Sequence, residues 1–313
     1  MNNMPYYVVR GNFTNNEDKI TFNGEYVEVV DEDTKQKSQH ISNGMIIFSQ
    51  RFKEGTLNCE ITPENIDPRT RFGFILDYKK VDKNESFYQC TLTNNTFGYS
   101  LDYWDGKKWD LKEVGGEENS LEKNRTYNLK IEKYGSEIKF YINDILLYTN
   151  TNITELSGAW GIYVYNAYKT DIKILDVIQD KPKVFAIMKF EKDFNELYKE
   201  VIIPQFEKYG YRVVRADECY NTTSIIQDIT REIIEATIII ADITMDNANV
   251  FYEVGYAHAL KKTTILLADA NKREKLPFDL SGFRTIFYSN SIGGKREIEN
   301  TLTKYIENIN RES

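Results

Sequence analysis

The hydrophobic pattern divides the chain into two parts with different periods. Residues 1–178 consist of short apolar or alternating segments rich in β-branched and aromatic residues, separated by clusters of Asn, Gly and Asp, a pattern typical of strands and turns. No segment in this part keeps the three-to-four-residue spacing of a helix. The clearest strand segments are residues 26–30, 45–48, 71–76, 87–92, 127–131, 138–142 and 160–164. Many short strands without helices predict an all-β jelly-roll sandwich.

Glycine-containing turns are expected to join some of these strands. The sequence places such turns at Asn43-Gly44, Asp105-Gly106 and Tyr134-Gly135-Ser136. These residue pairs tolerate the positive φ angles of tight hairpin turns, and each is flanked by strand-like segments. We therefore expect hairpins at these three places.

The pattern changes at residues 179–182, which we interpret as a linker. Beyond it, compact apolar strands alternate with segments of helical spacing. Strands are expected at residues 183–188, 211–214, 237–242, 264–268 and 285–288, and helices at 194–209, 224–235, 250–260 and 295–308. This alternation predicts that residues 183–313 form an α/β domain, flavodoxin- or Rossmann-like, with a parallel sheet flanked by helices. Ligands of such sheets bind at the carboxyl ends of the strands.

Composition and charge exclude several classes of function. The net charge of −8 disfavours a nucleic-acid surface. Three widely spaced cysteines without a CxxC pair favour neither a disulfide framework nor a zinc site, and they fit a reduced cytoplasm. Only two histidines leave little for a Ser-His-Asp triad or a metal centre. No apolar run approaches the ~20 residues of a membrane span, and the N-terminus lacks a signal-peptide pattern. We expect a cytoplasmic protein that binds neither nucleic acid nor membrane.

The candidate chemistry lies where the third strand of the second part meets its helix. Asp242 ends the apolar strand, and Glu253 is expected near the first turn of the following helix. At about 100° per residue, Asn249, Glu253 and Tyr256 share one stripe, whereas His258 lies about 140° from Glu253 and is poorly placed to exchange a proton with it. The helix N-terminus is expected to favour an ionised Glu253, as attack on a sugar carbon requires.

These residues also have simpler interpretations. A glutamate in a first helical turn is most often a solvated partner of the helix dipole, and an acid at a strand end is often a cap. Met188 and Phe190 follow the first strand and either line the pocket or pack in the core. Asp217 follows the second strand and either faces ribose hydroxyls or is a solvated loop acid.

Residues 183–288 carry motifs with a specific resemblance. The strings are Val184-Phe185-Ala186-Ile187-Met188-Lys189-Phe190, Ala241-Asp242-Ile243-Thr244, Asn247-Ala248-Asn249-Val250-Phe251-Tyr252-Glu253-Val254-Gly255-Tyr256-Ala257 and Leu276-Pro277-Phe278-Asp279. They resemble the nucleoside 2-deoxyribosyltransferase-like family, which is related in fold to Toll/interleukin-1-receptor-like (TIR-like) domains. The resemblance implies that Glu253 attacks the anomeric carbon of a sugar and that Asp242 contacts or orients that sugar.

One position departs from that family. The transferases usually hold an acid six residues before the nucleophile, near the base, where this chain has Asn247. Nicotinamide leaves a cationic N-glycoside as a neutral molecule and needs no proton donor. We therefore expect NAD⁺ as substrate rather than as a cofactor, cleaved to nicotinamide and ADP-ribose, unless Asp246 or Asp217 supplies the missing acid. Asn247, with Asn249 and Tyr256, is expected to contact the substrate.

The resemblance also bears on the biological role. By analogy, an NAD-degrading domain of this kind suits a bacterial anti-phage defence effector. The alternatives are a nucleoside deoxyribosyltransferase and a non-catalytic nucleotide-binding signalling module.

The first part resembles concanavalin-like jelly rolls of the laminin-G type, on residues 127–135 and 158–164. It lacks the Glu-x-Asp-x-x-Glu string of glycanases on that fold, so sensing or assembly is expected instead of hydrolysis. Tyr103, Trp104 and Trp109 surround a predicted turn, where they either stack on a sugar or partner or belong to a half-buried hairpin. The β domain could bind a glycan or a protein ligand, and the chain could form a homo-oligomer; the sequence does not choose between these possibilities.

Overall fold

The chain forms two compact units in a computed structural model that describes residues 4–16, 18–30, 37–153, 156, 158–218 and 224–312. Described residues up to Gln179 make the first unit, except for residues 134–137 and 151–153. Those residues group with the second unit, which continues from Asp180.

The first unit is a β-sandwich. Its strands are β1 (Tyr6–Arg10), β2 (Phe13–Asn16), β3 (Lys19–Phe22), β4 (Tyr26–Val30), β5 (Lys37–Ile41), β6 (Asn43–Arg51), β7 (Gly55–Pro63), β8 (Arg71–Val81), β9 (Asn84–Thr93), β10 (Tyr99–Trp104), β11 (Trp109–Gly115), β12 (Tyr127–Tyr134), β13 (Glu137–Ile142), β14 (Ile145–Asn150), β15 (Ala159–Tyr165) and β16 (Thr170–Gln179). Two seven-stranded sheets have the orders β1-β6-β15-β8-β9-β10-β11 and β14-β13-β12-β7-β16-β3-β2, and β4 pairs with β5 separately. The described residues of this unit contain no helix. The predicted all-β jelly-roll class is confirmed.

Alternating burial explains why these segments form strands. Along β7 every second residue is buried, and β12 beside it has the same pattern. Leu57, Cys59 and Ile61 on β7 lie opposite Ile131, Leu129 and Tyr127 on β12, so these three pairs form a buried apolar face. Because the side-chain period of a strand is two, this register buries the apolar set on one face, with Lys133 buried at its end, and leaves the other face partly exposed.

Two of the three predicted turns are present. Asp105-Gly106 joins β10 to β11, and Gly135 lies between β12 and β13, with glycine φ angles of 93° and 53°. The prediction at Asn43-Gly44 is wrong, because both residues begin β6. A Cβ atom on Gly44 would lie 2.6 Å from the Phe22 ring, so this glycine permits close packing inside the sandwich rather than a turn.

The second unit is an α/β domain. Its elements are β17 (Lys183–Ile187), α1 (Lys192–Leu197), a π-helical turn (Tyr198–Ile202), α2 (Ile203–Glu207), β18 (Arg212–Arg215), a 3₁₀ turn (Ala216–Glu218), α3 (Ile225–Glu235), β19 (Ile238–Asp242), α4 (Ala248–Ala259), β20 (Thr263–Asp269), a 3₁₀ turn (Phe278–Leu280), β21 (Thr285–Tyr288) and α5 (Ile292–Glu312). The five strands are all parallel, in the order β18-β17-β19-β20-β21. The predicted parallel sheet flanked by helices is confirmed.

Successive residues of a strand are buried on opposite faces of this sheet. Val184 and Ala186 of β17 pack into a cluster with α1, α2 and α5, while Phe185 and Ile187 pack with α3 and α4. Strands buried on both faces read as continuous apolar runs, and the first and third strands show this in the sequence. The helix predicted over residues 194–209 contains a π-helical turn before Pro204, which has no N–H to bond to the carbonyl of Glu200.

No helix in the described part of the chain combines the length and apolar character that crossing a membrane requires.

Candidate active site

The strand order brings two loops together at the centre of the carboxyl edge. β17 lies between β18 and β19. The connection from β17 therefore runs to β18 on one side, whereas the connection from β19 runs to β20 on the other side. Open α/β sheets bind ligands at such a reversal of strand order, which in this sheet lies at the carboxyl ends of β17 and β19. Asp242 ends β19 at this place.

Asp242 is buried and both of its carboxylate oxygens are occupied. Only 4% of the residue is exposed. One oxygen accepts a hydrogen bond from the Thr244 backbone N–H at 2.9 Å, and the other accepts one from the Tyr288 hydroxyl at 2.8 Å. Burial raises the pKa of Asp242, the nearby charge of Asp269 acts in the same direction, and the hydrogen bonds oppose them. The contacts hold this side chain in one orientation.

Tyr288 is the donor that defines this arrangement. Burial and the charge of Asp242 raise the pKa of Tyr288 far above its usual value, so the phenol keeps its proton and donates a hydrogen bond to the carboxylate. Tyr288 ends β21, 46 residues beyond Asp242. The sequence analysis did not identify Tyr288, because a tyrosine at a strand end has no local signal for this role.

The loop after β19 is held by Thr244 and Arg273. The Thr244 hydroxyl accepts a hydrogen bond from the Asp269 backbone N–H at 2.8 Å. Arg273 donates to the Thr244 carbonyl at 2.9 Å and forms a 2.6 Å ion pair with Asp246. Asp246, one of the two acids suggested to replace the missing proton donor, is therefore bound to an arginine.

Asn247 begins helix α4 as its N-cap. Its side-chain oxygen accepts hydrogen bonds from the backbone N–H groups of Asn249 at 3.0 Å and Val250 at 3.4 Å. This use of Asn satisfies donors that have no partner within the helix. The position where the transferases carry an acid therefore has a capping role in this chain.

Glu253 lies in the second turn of α4, six residues after the N-cap. The expectation that it stands near the first turn, where the helix dipole would keep it ionised, is wrong, because the dipole effect decays within one turn. Burial instead raises the pKa of Glu253 to about 7. Among the described residues, none forms a hydrogen bond or ion pair with its carboxyl group. This half-buried acid is close to half ionised at neutral pH.

The helix face around Glu253 explains its environment. Val250, Val254 and Ala257 are buried against the sheet, and Glu253 lies beside this apolar stripe. Asn249 is exposed and Tyr256 is half-buried, both on the same helix. The ring of His258 stacks on the ring of Phe283, with centroids 4.1 Å apart.

Residues after β17 and β18 form a separate cluster around Arg215. Arg215 is 4% exposed and makes a two-pronged ion pair with Asp217, with both N–O distances 2.7 Å. Its guanidinium lies 5.1 Å from the Phe190 ring centroid and 4.0 Å from the Met188 sulfur. Met188 packs in the core, and Phe190 is 55% exposed over the guanidinium. Both oxygens of Asp217 are used by Arg215, which the sequence analysis did not identify as a site residue.

The predicted site residues therefore fall into three groups. Asp242 joins Tyr288 and Thr244; Asn247, Asn249, Glu253 and Tyr256 share the α4 region; and Met188, Phe190 and Asp217 surround Arg215. Within the described ranges, no hydrogen bond or ion pair joins Glu253 to Asp242. Nor does any cluster of three or more His, Cys, Asp or Glu side chains form a metal site there.

The predicted aromatic group of the first unit is divided between two faces. Trp104 and Trp109 are cross-strand partners with ring centroids 5.1 Å apart, and Phe87 contacts Trp109. Tyr103, one residue from Trp104, points to the opposite face and packs on Tyr88. Of the three aromatic residues around the predicted turn, the two tryptophans therefore lie together and Tyr103 lies apart from them.

Comparison with known proteins yields structural matches only. No protein-family model and no curated protein matches the chain. Carbohydrate-binding module CBM66 from Bacillus subtilis matches at 16% identity with a TM-score of 0.42, covering 56% of this chain and 96% of its own. A β-glucanase from Bacillus licheniformis matches at 12% identity with a TM-score of 0.35, covering 56% of this chain and 94% of its own. A Bacillus subtilis protein with a galectin-like fold matches at 13% identity with a TM-score of 0.33, covering 48% of this chain and 86% of its own.

Proposed function

We propose that the second unit cleaves the N-glycosidic bond of a nucleotide, with NAD⁺ as substrate and Glu253 as nucleophile. The observation that carries this proposal is the carboxyl group of Glu253, which has no hydrogen-bond or ion-pair partner among the described residues and a pKa of about 7. A carboxylate of raised basicity is a stronger nucleophile than a solvated one, and it is already partly freed of water. The resemblance of the Asn-Val-Phe-Tyr-Glu-Val-Gly string to the deoxyribosyltransferase-like family supports the same role.

The proposed reaction has two steps. The ionised carboxylate of Glu253 forms a bond to the anomeric carbon of the nicotinamide ribose, and the carbon–nitrogen bond breaks with its electron pair going to nicotinamide. Water then attacks the same carbon, releases Glu253 and loses a proton, which yields ADP-ribose. Asp242, held by Tyr288 and Thr244, is proposed to position the ribose.

The surrounding acids favour a leaving group that needs no proton. Asn247 caps the helix, and Asp246 and Asp217 are each bound to an arginine. A purine or pyrimidine leaves slowly without a proton donor, whereas nicotinamide departs neutral from a cationic glycoside. This difference makes NAD⁺ a better fit than an ordinary deoxynucleoside.

The test is base release measured by chromatography on the full-length protein. Incubation with NAD⁺ is expected to release nicotinamide, and Glu253→Gln is expected to lower the rate by at least about 10³-fold with the fold intact by circular dichroism. Glu297→Gln, which alters an exposed glutamate on α5, is the matched control and should retain full activity. Base exchange between deoxyinosine and free adenine, without NAD⁺ cleavage, would instead identify a deoxyribosyltransferase. Binding of NAD⁺ with no turnover of either substrate would contradict the proposal and indicate a non-catalytic nucleotide-binding module.

A second function, binding of a glycan by the first unit, is favoured by the two tryptophans. Trp109 is 50% exposed, and its ring with that of Trp104 forms an aromatic surface at the end of the β10–β11 hairpin. On the same strand face Arg71, whose side chain is 24% exposed, pairs with the buried Asp102 at 3.3 Å. Aromatic rings beside hydrogen-bonding groups suit a sugar.

Glycan binding is testable on the full-length protein with a panel of soluble polysaccharides and affinity electrophoresis. Retardation by one polysaccharide should be lost in Trp109→Ala. It should persist in Ile145→Ala, which removes a similarly exposed apolar side chain from β14 in the other sheet. Equal retardation of both variants would contradict the assignment of this surface.

A further inference from the structure

A cavity of about 310 Å³ lies beside the carboxyl ends of β20 and β21, on the sheet face that packs against α1 and α5. Its apolar wall consists of Phe194, Leu197, Val201 and Ile298. None of the site residues predicted from the sequence lines it. The volume falls at the lower end of the range of small-molecule sites, which is about 300–1,000 Å³.

Two ion pairs cross the rim of this cavity. Asp193 of α1 binds Lys272 at 2.7 Å, and Glu200 of the π-helical turn binds Lys295 of α5 at 3.0 Å. The side chains of all four residues are 39% to 62% exposed, so solvent screens both ion pairs. Both lysines of the rim are therefore already paired with carboxylates.

Asp269 places an unsatisfied acceptor in the same wall. The residue is 3% exposed and lines the cavity. One carboxylate oxygen accepts a hydrogen bond from the Asn271 backbone N–H at 2.9 Å, but no donor among the described residues reaches the other oxygen. This oxygen is not fully buried, so it is open to the cavity that Asp269 lines, and a ligand that donates to it would supply a second hydrogen bond.

From these features we propose that the cavity binds a small organic cation, an amine carried on an apolar body. The ammonium group donates to the unoccupied oxygen of Asp269, and the apolar body lies on Phe194, Leu197 and Val201. The charged lining contains four carboxylates, Asp193, Glu196, Glu200 and Asp269, against two lysines, so an anion is disfavoured. This second ligand site goes beyond the proposed N-glycosidase activity.

The cavity shares a wall with the candidate active site. Tyr288 lines the cavity, and its hydroxyl donates to Asp242 at 2.8 Å. A ligand in the cavity therefore contacts the residue that orients the candidate ribose-binding acid, without occupying the α4 region where Glu253 lies.

The experiment uses 2-phenylethylamine as the probe and isothermal titration calorimetry on the full-length protein. Its two comparison ligands keep the apolar body and change the charge: 2-phenylethanol is neutral and 3-phenylpropionate is anionic. The amine is expected to bind at least about tenfold more tightly than either. Asp269→Asn should weaken amine binding at least about tenfold, and Asp193→Asn, which removes the same charge at the exposed rim, should change it less than about threefold.

Several outcomes overturn the proposal: no binding of the amine, equal binding of the three ligands, preference for the anion, or equal weakening by both variants. If Asp269→Asn does not fold, a crystal structure of the wild-type protein with 2-phenylethylamine decides. Density between Asp269 and Phe194 supports the site, and density elsewhere overturns it. Because no step of this test measures NAD⁺ cleavage, its failure leaves the proposed activity of Glu253 unaffected.

Discussion

Two carboxyl groups of the second unit have opposite environments. Asp242, at the end of β19, is 4% exposed and has a donor on each oxygen. Glu253, on α4, is half-buried and has no donor among the described residues, so burial alone raises its pKa to about 7. A buried acid whose hydrogen bonds are complete stabilises the fold and holds a geometry. A half-buried acid without partners costs stability and remains reactive, which is the usual condition of a functional group.

The largest expected effect concerns the satisfied acid. Asp242→Ala leaves the Tyr288 hydroxyl and the Thr244 N–H without their acceptor in the interior, and each unsatisfied group costs about 1–3 kcal/mol. The free energy of unfolding, measured by urea titration, should fall by about 3 kcal/mol. Asp246→Ala removes an acid four residues away that is 84% exposed, and it should change the free energy by less than about 1 kcal/mol. Equal losses in the two variants would remove the distinction between these positions.

Removing the unsatisfied acid should have the opposite sign. The folded pKa of Glu253 is raised to about 7 from a usual value near 4.5, so the folded state binds the extra proton between these pH values. The stability of the wild-type protein therefore falls as pH rises from about 4.5 to 7. At pH 8, Glu253→Gln should be more stable by about 2 kcal/mol, allowing for partial solvent screening, and the gain should vanish below pH 4. Urea titrations of both proteins at pH 4, 6 and 8 measure this, and a Gln variant that is less stable at pH 8 would contradict it.

The same pKa predicts the pH dependence of activity. If Glu253 is the nucleophile, only its ionised form reacts, so the rate should rise by about tenfold between pH 6 and pH 8 with a midpoint near 7. Initial rates of nicotinamide release under kcat/KM conditions provide the profile. A rate that falls over this range would show that the protonated group is required and that Glu253 acts as an acid.

The smallest expected effect comes from the hydroxyl that joins β21 to β19. Tyr288→Phe removes one hydrogen bond to Asp242 but leaves the Thr244 bond and the ring packing, so stability should fall by about 1 kcal/mol. If Asp242 positions the ribose, KM for NAD⁺ should rise severalfold while the pH midpoint near 7 is unchanged. Tyr209→Phe, which removes an exposed hydroxyl bonded to Glu307, is the control and should affect neither quantity.

Local pattern was sufficient for the fold class of both parts of the chain. Fully apolar strands such as Ile238–Asp242 and helical spacing after them predicted a parallel sheet, and alternation in the first half predicted antiparallel strands. The element bounds differed mainly at the ends: α5 begins at Ile292 and not near residue 295, and the helix predicted at 250–260 begins at Ala248. That last difference moved Glu253 from the first turn to the second and changed the expected direction of its pKa.

Contacts between distant residues could not be predicted from the sequence. Neither the Tyr288–Asp242 hydrogen bond nor the Lys272–Asp193 ion pair at the cavity rim has a local signature, because each joins residues more than 40 positions apart. The division of Tyr103 from Trp104 did follow from strand alternation, but only once the register of β10 was known.

The sequence by itself determined that this chain has a β part and an α/β part, and that an acid-bearing strand end precedes a helix carrying Glu253. These features depend on side-chain period and local backbone preference, which act between near neighbours. The tertiary structure decided which acid is satisfied and which is not, because hydrogen-bond donors and burial come from strands and helices that the fold brings together. For the same reason, only the fold showed that Asp269 lines a cavity and that one of its oxygens has no donor among the described residues.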